Sequence, residues 1–175
     1  MPYLDAVIEE ILRCAGTTLA LNREAMVNTQ VLGHAIPKGT ILVMLTQGPS
    51  IKSPALHIDD NRRSPTFQRD SKQCTWDPSD LGTFQPERWL VPSDSKGEAF
   101  DPTAGPILAF SLGTRGCFGR RLAYLELRLY ITLIVWNFHL LPCPSHLSGY
   151  SSVPSVLNKP KDCYVRLRKV DPQGH

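Results

Sequence analysis

Apolar residues form a helical stripe near the start of the chain. In the segment YLDAVIEEILRCAG they recur every three or four residues, at Leu4, Val7, Ile8, Ile11 and Leu12. This spacing is typical of an amphipathic helix with one buried face. Because Pro2 suits a first helical turn and Gly16 is a plausible end, the pattern predicts a helix over residues 2–16.

Shorter apolar runs and turn residues follow this helix. QVLGHAIPKGTILVML, residues 30–45, indicates two extended runs joined by a turn, since Pro37 presets the turn and Gly39 closes it. We therefore expect a β-hairpin over residues 27–46, with the apolar run at 41–45 buried.

A proline-rich stretch comes next. Eight of the 15 prolines lie between Pro49 and Pro106. Proline ends helices and cannot donate a hydrogen bond to a strand ladder. Residues 47–109 are therefore predicted to form a meandering loop.

The longest apolar run, residues 122–141, has about the length of a membrane span. Glu126 and Arg128 lie inside it, and charges deep in a bilayer are costly. A buried core helix over residues 118–141 is therefore the better interpretation. A C-terminal β region at 150–170 follows, since polar and apolar residues alternate in CYVRLRKV. This order of elements predicts a fold that mixes helices and strands.

Composition and charge exclude several classes of function. The 175 residues are enough for one domain, and a net charge of +3 is too small to indicate binding to nucleic acid. The five cysteines form no CxxC pair, so the spacings of zinc sites are missing and free thiols in a reducing compartment are expected. We expect neither a secretory signal nor a membrane anchor in these residues.

The chemistry of the sequence concentrates in FSLGTRGCFG, residues 110–119. Cys117 precedes a predicted helix N-terminus and follows Arg115, and both neighbours favour a thiolate. Gly113, Gly116 and Gly119 leave room for a planar ligand near the backbone, whose face Phe110 could cover. A thiolate here could be a nucleophile, a redox sensor or a metal ligand. Ligation of haem iron fits best, because haem needs one thiolate from the chain.

Three motifs together resemble one family. Residues 110–119 match the signature FxxGxRxCxG of the cytochrome P-450 monooxygenases at every fixed position, EILR at 10–13 resembles the family's ExxR, and PERW at 86–89 resembles its PERF/PERW block. "KPKDCYVRL" is similar to the family's last strand region. The chain thus looks like the C-terminal, haem-binding part of the P-450 fold, over residues 1–175. The resemblance implies a mostly α-helical fold with small β-sheets, of the α+β class.

The resemblance implies a role for each motif residue. Cys117 would be the proximal ligand of haem b, with backbone amides of Phe118 and Gly119 directed at its sulfur. Arg115 would pair with a haem propionate, Phe110 would shield the sulfur side of the ring, and Gly113 would give backbone room.

The other two motifs would form a buried ion triad behind the haem, made of Glu10, Arg13 and Arg88. An alternative stays open, because Glu9 and Arg13 are spaced for an ordinary i,i+4 pair on a solvated helix surface.

The family also implies an activity and partners. A member oxidises a small hydrophobic organic substrate with O₂ and electrons from an NADPH-dependent reductase, and a full-length member sits on the cytosolic face of the endoplasmic reticulum membrane. The stretch leading through TWDP to PERW resembles fungal members that serve secondary metabolism. The family's long oxygen-activating helix and its membrane anchor have no counterpart here. Two alternatives remain: a truncated, non-catalytic fragment that keeps only the haem-ligand side, and a P-450-type isomerase or dehydratase.

Overall fold

The computed structural model describes residues 1–65, 76–93, 97–155 and 157–171. Helix α1 spans Pro2–Ala15, and Gly16 ends it in the left-handed region with φ of 54°. A side chain at this position would also clash, since a Cβ on Gly16 would lie 2.7 Å from Cδ of Gln47. Glycine therefore meets both the conformational and the steric demand of the helix end.

Four short strands follow α1 and pair in two separate ladders. They are β1 at Ala20–Glu24, β2 at Thr29–Val31, β3 at His34–Ile36 and β4 at Ile41–Leu45. Strand β1 pairs antiparallel with β4, and β2 pairs antiparallel with β3.

The hairpin expected over residues 27–46 is therefore wrong in its pairing. The tight turn lies at Leu32 and Gly33, which both have positive φ (50° and 85°), as two-residue hairpin turns favour. The turn at Pro37 leads instead into β4, whose partner β1 lies some twenty residues upstream. Four of the five residues in β4 are exposed, so the expectation of a buried strand is also wrong in this chain.

The proline-rich segment carries little regular structure, except near its end. Short 3₁₀ turns lie at Asp60–Arg62 and Pro86–Trp89. The second turn runs into β5, Leu90–Ser93, which pairs antiparallel with β6, Gly97–Phe100. Because the two strands follow the PERW turn directly, they hold it against α1.

The second long helix is shorter than the apolar run that predicts it. Helix α2 spans Arg120–Asn137, and residues 138–141 form strand β7 (Phe138–Leu141) instead of the predicted last helical turn. Strand β7 pairs antiparallel with β10, Arg166–Lys169, and β8 (Ser152–Pro154) pairs with β9 (Asn158–Pro160). A continuous apolar run does not reveal where helix gives way to strand, and here the distant pairing with β10 decides.

The prediction of a buried α2 is also wrong for this chain. No residue of α2 is buried, and large apolar side chains stand exposed along it, including Leu125, Leu133 and Trp136. Among the described residues α2 packs mainly against α1 and strand β7, with a further contact to Phe110, and these cover only part of its circumference. No helix in the described ranges is both long and apolar enough to span a membrane.

The core lies between α1 and the meander. Its most buried side chains combine apolar groups with charges: Ala6, Ile8, Leu81 and Trp89 beside Glu9, Glu10 and Arg13. Helix α1 presents this mixed face to the 3₁₀ turn that carries PERW. The fold is thus α+β, with its tightest packing around buried charged groups.

One contact in this core requires glycine for lack of space. A Cβ on Gly105 would lie 1.6 Å from Cζ2 of Trp76, whose ring packs edge-on against Trp89 at 5.0 Å between centroids. The Trp76 ring therefore fills the position that a side chain at residue 105 would take.

We predict that Gly105→Ala lowers the free energy of unfolding by about 1–3 kcal/mol, because the Trp76 ring must move to admit the methyl group. Gly149→Ala is the matched control, since a Cβ there meets nothing within 4 Å. Urea unfolding measures both variants. The double variant Gly105→Ala/Trp76→Leu should lose less unfolding free energy than the sum of the losses in the two single variants. Strict additivity of these losses would contradict the proposed clash.

Candidate functional site

The structure brings the three charged residues of the ExxR and PERW motifs together. Arg13 donates two hydrogen bonds to Glu10, from Nε to Oε2 at 2.8 Å and from Nη2 to Oε1 at 2.7 Å. Arg88 reaches the same carboxylate with its Nε, 3.2 Å from Oε1. The side chains of Glu10 and Arg13 are 0% and 1% exposed, so these charges balance one another away from solvent.

Further donors and acceptors complete this ion cluster. Trp89 Nε1 and the backbone amide of Gln85 donate to Glu10 at 3.0 and 2.8 Å. Arg88 Nη1 pairs with Asp80 at 2.9 Å. The remaining N–H groups of Arg13 reach backbone carbonyls of Ile51, Leu81 and Thr83 at 2.7–2.8 Å.

Sequence reasoning missed Asp80, Trp89 and Trp76 as members of this cluster. The guanidinium carbons of Arg13 and Arg88 lie 5.7 and 5.2 Å from the centroid of the Trp76 ring, which is within cation–π range. The indole of the PERW block was a readable signal, since a buried tryptophan N–H needs an acceptor. Asp80 gave no such signal, because it lies in a turn without a motif.

Glu9 and Glu10 are adjacent in sequence, yet their side chains contact different parts of the protein. Successive helical residues point about 100° apart, so Glu10 faces the meander while Glu9 faces α2. Glu9 is 5% exposed and accepts a hydrogen bond from the Tyr124 hydroxyl. The alternative of a solvated surface pair between Glu9 and Arg13 is therefore wrong.

The pKa values of these two carboxyls move in opposite directions. Burial alone would raise the pKa of Glu10, but hydrogen bonds from Arg13, the Gln85 amide and Trp89 outweigh it and hold the pKa below 4.5. At Glu9 burial dominates, and the single bond from Tyr124 does not offset it, so its pKa is raised. The difference follows from the number of donors each carboxylate has.

A pH dependence follows from the raised pKa of Glu9. The folded state binds this proton more readily than the unfolded chain, so the stability from this group is present at low pH and declines as the pH rises through the folded pKa. We predict that the stability of Glu9→Gln relative to the parent increases as the pH rises above about 4.5, the ordinary pKa of a glutamic acid. Urea unfolding over a pH series that begins below this value measures the change, with Glu24→Gln, exposed at the end of β1, as control. A difference that stays constant with pH would contradict the prediction.

The cysteine loop, residues 110–119, has a defined backbone. The amide of Cys117 donates to the carbonyl of Phe110 at 2.8 Å, which closes the loop. A 3₁₀ turn at Gly113–Arg115 lies within it, and α2 begins three residues after the cysteine, with Gly119 as its N-cap. The thiol thus stands at the positive end of an 18-residue helix.

The space around this thiol is open. Cys117 is exposed and the ring of Phe118 is fully exposed. A Cβ on Gly113 would meet nothing within 4 Å, and one on Gly119 would stand 3.9 Å from the Cys117 sulfur. The bare backbone of Gly119 therefore keeps a side chain away from the sulfur, and the backbone at Gly113 borders open space.

Two arginines adjoin the loop. Arg115 ends the 3₁₀ turn and is exposed. Arg23 on β1 donates from Nη2 to the Ser111 hydroxyl at 2.9 Å, and sequence reasoning missed it because β1 carries no clear strand pattern. Both cations could meet an anionic group of a ligand held at Cys117.

A cavity of about 580 Å³ lies between the end of α1, the loop and α2, and its lining includes Leu12, Thr17, Phe110, Cys117 and Leu127. This volume falls within the usual range for sites of small molecules and cofactors. The described residues contain no group of three or more His, Cys, Asp or Glu side chains suited to a metal ion. The donor set at Cys117 is one sulfur, which is the ligand that haem takes from a chain, so the residues fit that group.

Comparison with known proteins agrees with this geometry. The cytochrome P450 family model matches residues 1–50 and 78–166. The chain is 51% identical over 185 aligned positions to the cytochrome P450 monooxygenase TRI13 of Fusarium sporotrichioides, which covers 98% of this chain and 31% of that protein. It is 44% identical to the Hps1-dma1 cluster cytochrome P450 monooxygenase cyp3.1 of Dothistroma septosporum, over 95% of this chain and 57% of that protein.

Solved structures give the same result for the fold. The retinoic acid-bound cyanobacterial CYP120A1 superposes with a TM-score of 0.63 at 25% identity, over 97% of this chain and 33% of that one. The haem domain of cytochrome P450DA gives a TM-score of 0.65 at 23% identity, over 97% and 31%. The chain thus spans about a third of the length of most of these proteins. It belongs to the cytochrome P450 family, whose cofactor is a haem iron.

Proposed function

We propose that the protein is a haem-thiolate monooxygenase that binds haem b through Cys117 and oxidises a small hydrophobic compound. The observation that carries this proposal is the position of Cys117: an exposed thiol at the N-terminus of α2 that lies in the lining of a cavity. Haem held by a thiolate supplies oxygen activation, because the sulfur donates electron density that favours cleavage of the O–O bond.

Each of these loop residues would have a different role in binding the cofactor. Cys117 would be the metal ligand. The backbone amides of Phe118 and Gly119 would donate hydrogen bonds to its sulfur, and such bonds tune the basicity of the ligand. Arg115, with Arg23 as a second cation, would neutralise the propionates.

Two further loop residues and the ion cluster have supporting roles. Phe110 would border the face of the ring, and Gly113 would leave room for its edge. Glu10, Arg13 and Arg88 are assigned a structural role, because they lie in the core under α1 rather than in the loop.

The partners and location are proposed from the relatives. They are named cytochrome P450 monooxygenases from filamentous fungi, and one is named for a gene cluster, which supports a role in secondary metabolism. A monooxygenase of this kind needs electrons, and we propose an NADPH-dependent reductase at the cytosolic face of the endoplasmic reticulum as their source.

Absorption spectroscopy tests the proposal. The protein is loaded with haemin, reduced with dithionite and exposed to carbon monoxide. We expect the long-wavelength Soret band that distinguishes thiolate-ligated haem from nitrogen-ligated haem. A nitrogen-type band, or no stoichiometric uptake of haem, would overturn the assignment. The activity is then tested with a reductase, NADPH and a lipophilic ether, since oxygen-dependent dealkylation requires electron delivery.

A further inference from the structure

Tyr124 joins three parts of the molecule. It lies on the second turn of α2, and its hydroxyl donates to Glu9 on α1. Its ring contacts Phe110 of the cysteine loop, with centroids 5.4 Å apart and planes inclined by 42°. Phe110 in turn accepts the amide of Cys117 through its carbonyl, at 2.8 Å. A continuous path of contacts therefore runs from α1 through Tyr124 to the cysteine.

The surroundings of Tyr124 hold its side chain in one position. The guanidinium carbons of Arg120 and Arg128 lie 5.5 and 5.8 Å from its ring centroid. Burial and the adjacent Glu9 both raise the pKa of Tyr124, so its hydroxyl stays protonated and donates. Glu9 is fixed by its helix, so the hydroxyl has a rigid acceptor.

We propose that Tyr124 is a positioning residue for the cysteine loop: its hydrogen bond to Glu9 fixes the ring that supports Phe110, and so holds the backbone bond to Cys117. The part that concerns iron rests on the proposed function, in which Cys117 is the haem ligand. The ion cluster involves a different face of α1, because Glu10 and Arg13 bond to the meander rather than to the loop. Loss of the Tyr124 hydroxyl should therefore loosen the loop more than it loosens the core.

A second link between the helices provides the matched control. Asp5 on α1 and Arg128 on α2 form an ion pair, with Nη2 and Oδ1 2.7 Å apart. This pair joins the same two helices. Arg128 also lies beside the Tyr124 ring, but Asp5→Asn changes neither that cation nor the hydrogen bond from Tyr124 to Glu9. Asp5→Asn therefore weakens the attachment of α2 to α1 without removing the support of the loop.

Amide hydrogen exchange tests the proposal without the cofactor. Tyr124→Phe keeps the ring against Phe110 and removes only the hydroxyl. We expect exchange of the Cys117 amide to become about three- to ten-fold faster, which is the range for one net hydrogen bond. Asp5→Asn and the exposed Tyr150→Phe should leave it unchanged. Equal acceleration by Asp5→Asn, or no acceleration by Tyr124→Phe, would overturn the proposal.

Haem-loaded protein supplies the second readout. In Tyr124→Phe the fraction of bound haem showing the thiolate-type reduced-carbon-monoxide band should fall relative to the parent, at equal haem content. A variant that only weakens folding would bind less haem but keep that fraction. Glu9→Gln changes the same bond from α1 and should give a smaller effect, because the amide oxygen of glutamine still accepts the Tyr124 hydroxyl, though more weakly than a carboxylate. Glu9→Gln is the variant that tests the proposal if Tyr124→Phe does not fold.

The two readouts separate failure of this inference from failure of the proposed function. A parent protein without the thiolate band would reject Cys117 as the haem ligand, while the exchange experiment would still decide whether Tyr124 positions the loop. A parent with the band, and a Tyr124→Phe variant identical to it in both readouts, would reject the role of Tyr124 alone.

Discussion

Cys117→Ala should abolish the thiolate-type absorption band of the haem-loaded protein and reduce haem affinity by at least about ten-fold, since even residues that only orient a metal ligand are worth about 10–100-fold. Cys117 lines the cavity between the loop and α2, and alanine would offer the iron no ligand atom. Titration of the purified protein with haemin, followed by the reduced-carbon-monoxide spectrum, measures both effects.

Cys163→Ala is the matched control for this prediction. Cys163 is also an exposed free thiol, but it lies in the C-terminal region before β10, away from the N-terminus of any long helix. We expect its spectrum and haem affinity to equal those of the parent. If the band survived in Cys117→Ala and disappeared in Cys163→Ala, the assignment of the ligand would be wrong.

The sequence allowed the site to be predicted further than the strand pairing. The cysteine loop is a local motif, and its residues are close in space because they are close in sequence. The ExxR and PERW residues lie some seventy-five positions apart, and only the resemblance to a family placed them together. Asp80 and Trp76, which complete the same ion cluster, could not be predicted because their contacts depend on the path of the meander.

Errors about the fold arose where distant partners decide. Strand β1 pairs with β4 rather than leaving β4 to β3, and no local pattern in residues 20–24 reveals that partner. Residues 138–141 extend the apolar run of α2 but pair with β10, because strand pairing outweighs the helical continuation there. The exposure of α2 has a different cause, since a helical pattern indicates which face is apolar and not which other segments pack against that face.

The charged core also explains why α1 is the most buried element. An ion pair between Arg13 and Glu10 in solvent would contribute a few tenths of a kcal/mol. Here both side chains are almost fully buried, and the indole of Trp89, a backbone amide and three carbonyls satisfy their remaining hydrogen bonds. Such a network specifies one packing of α1 on the meander, because each group would be unpaired in any other.

Arg13→Met should therefore lower the free energy of unfolding by about 3–5 kcal/mol, which is typical when one partner of a buried ion pair is removed. Methionine has a similar length and apolar stem, so the loss comes from the charge and its hydrogen bonds rather than from a large cavity. Glu10 would retain Arg88 at 3.2 Å but lose its two bonds from Arg13. Urea unfolding followed by tryptophan fluorescence measures the change, since two of the three tryptophans, Trp76 and Trp89, lie beside this ion cluster.

Two companion variants separate charge from geometry at this position. Arg13→Lys keeps the charge but cannot reproduce the two parallel bonds to Glu10 or reach three carbonyls at once, so we expect a loss smaller than that of Arg13→Met but still measurable. Arg121→Met, in the exposed first turn of α2, should change the free energy of unfolding by less than about 0.5 kcal/mol. If Arg13→Met cost no more than Arg121→Met, Arg13 would not be holding α1 to the meander, and the structural role given to the ion cluster would fail.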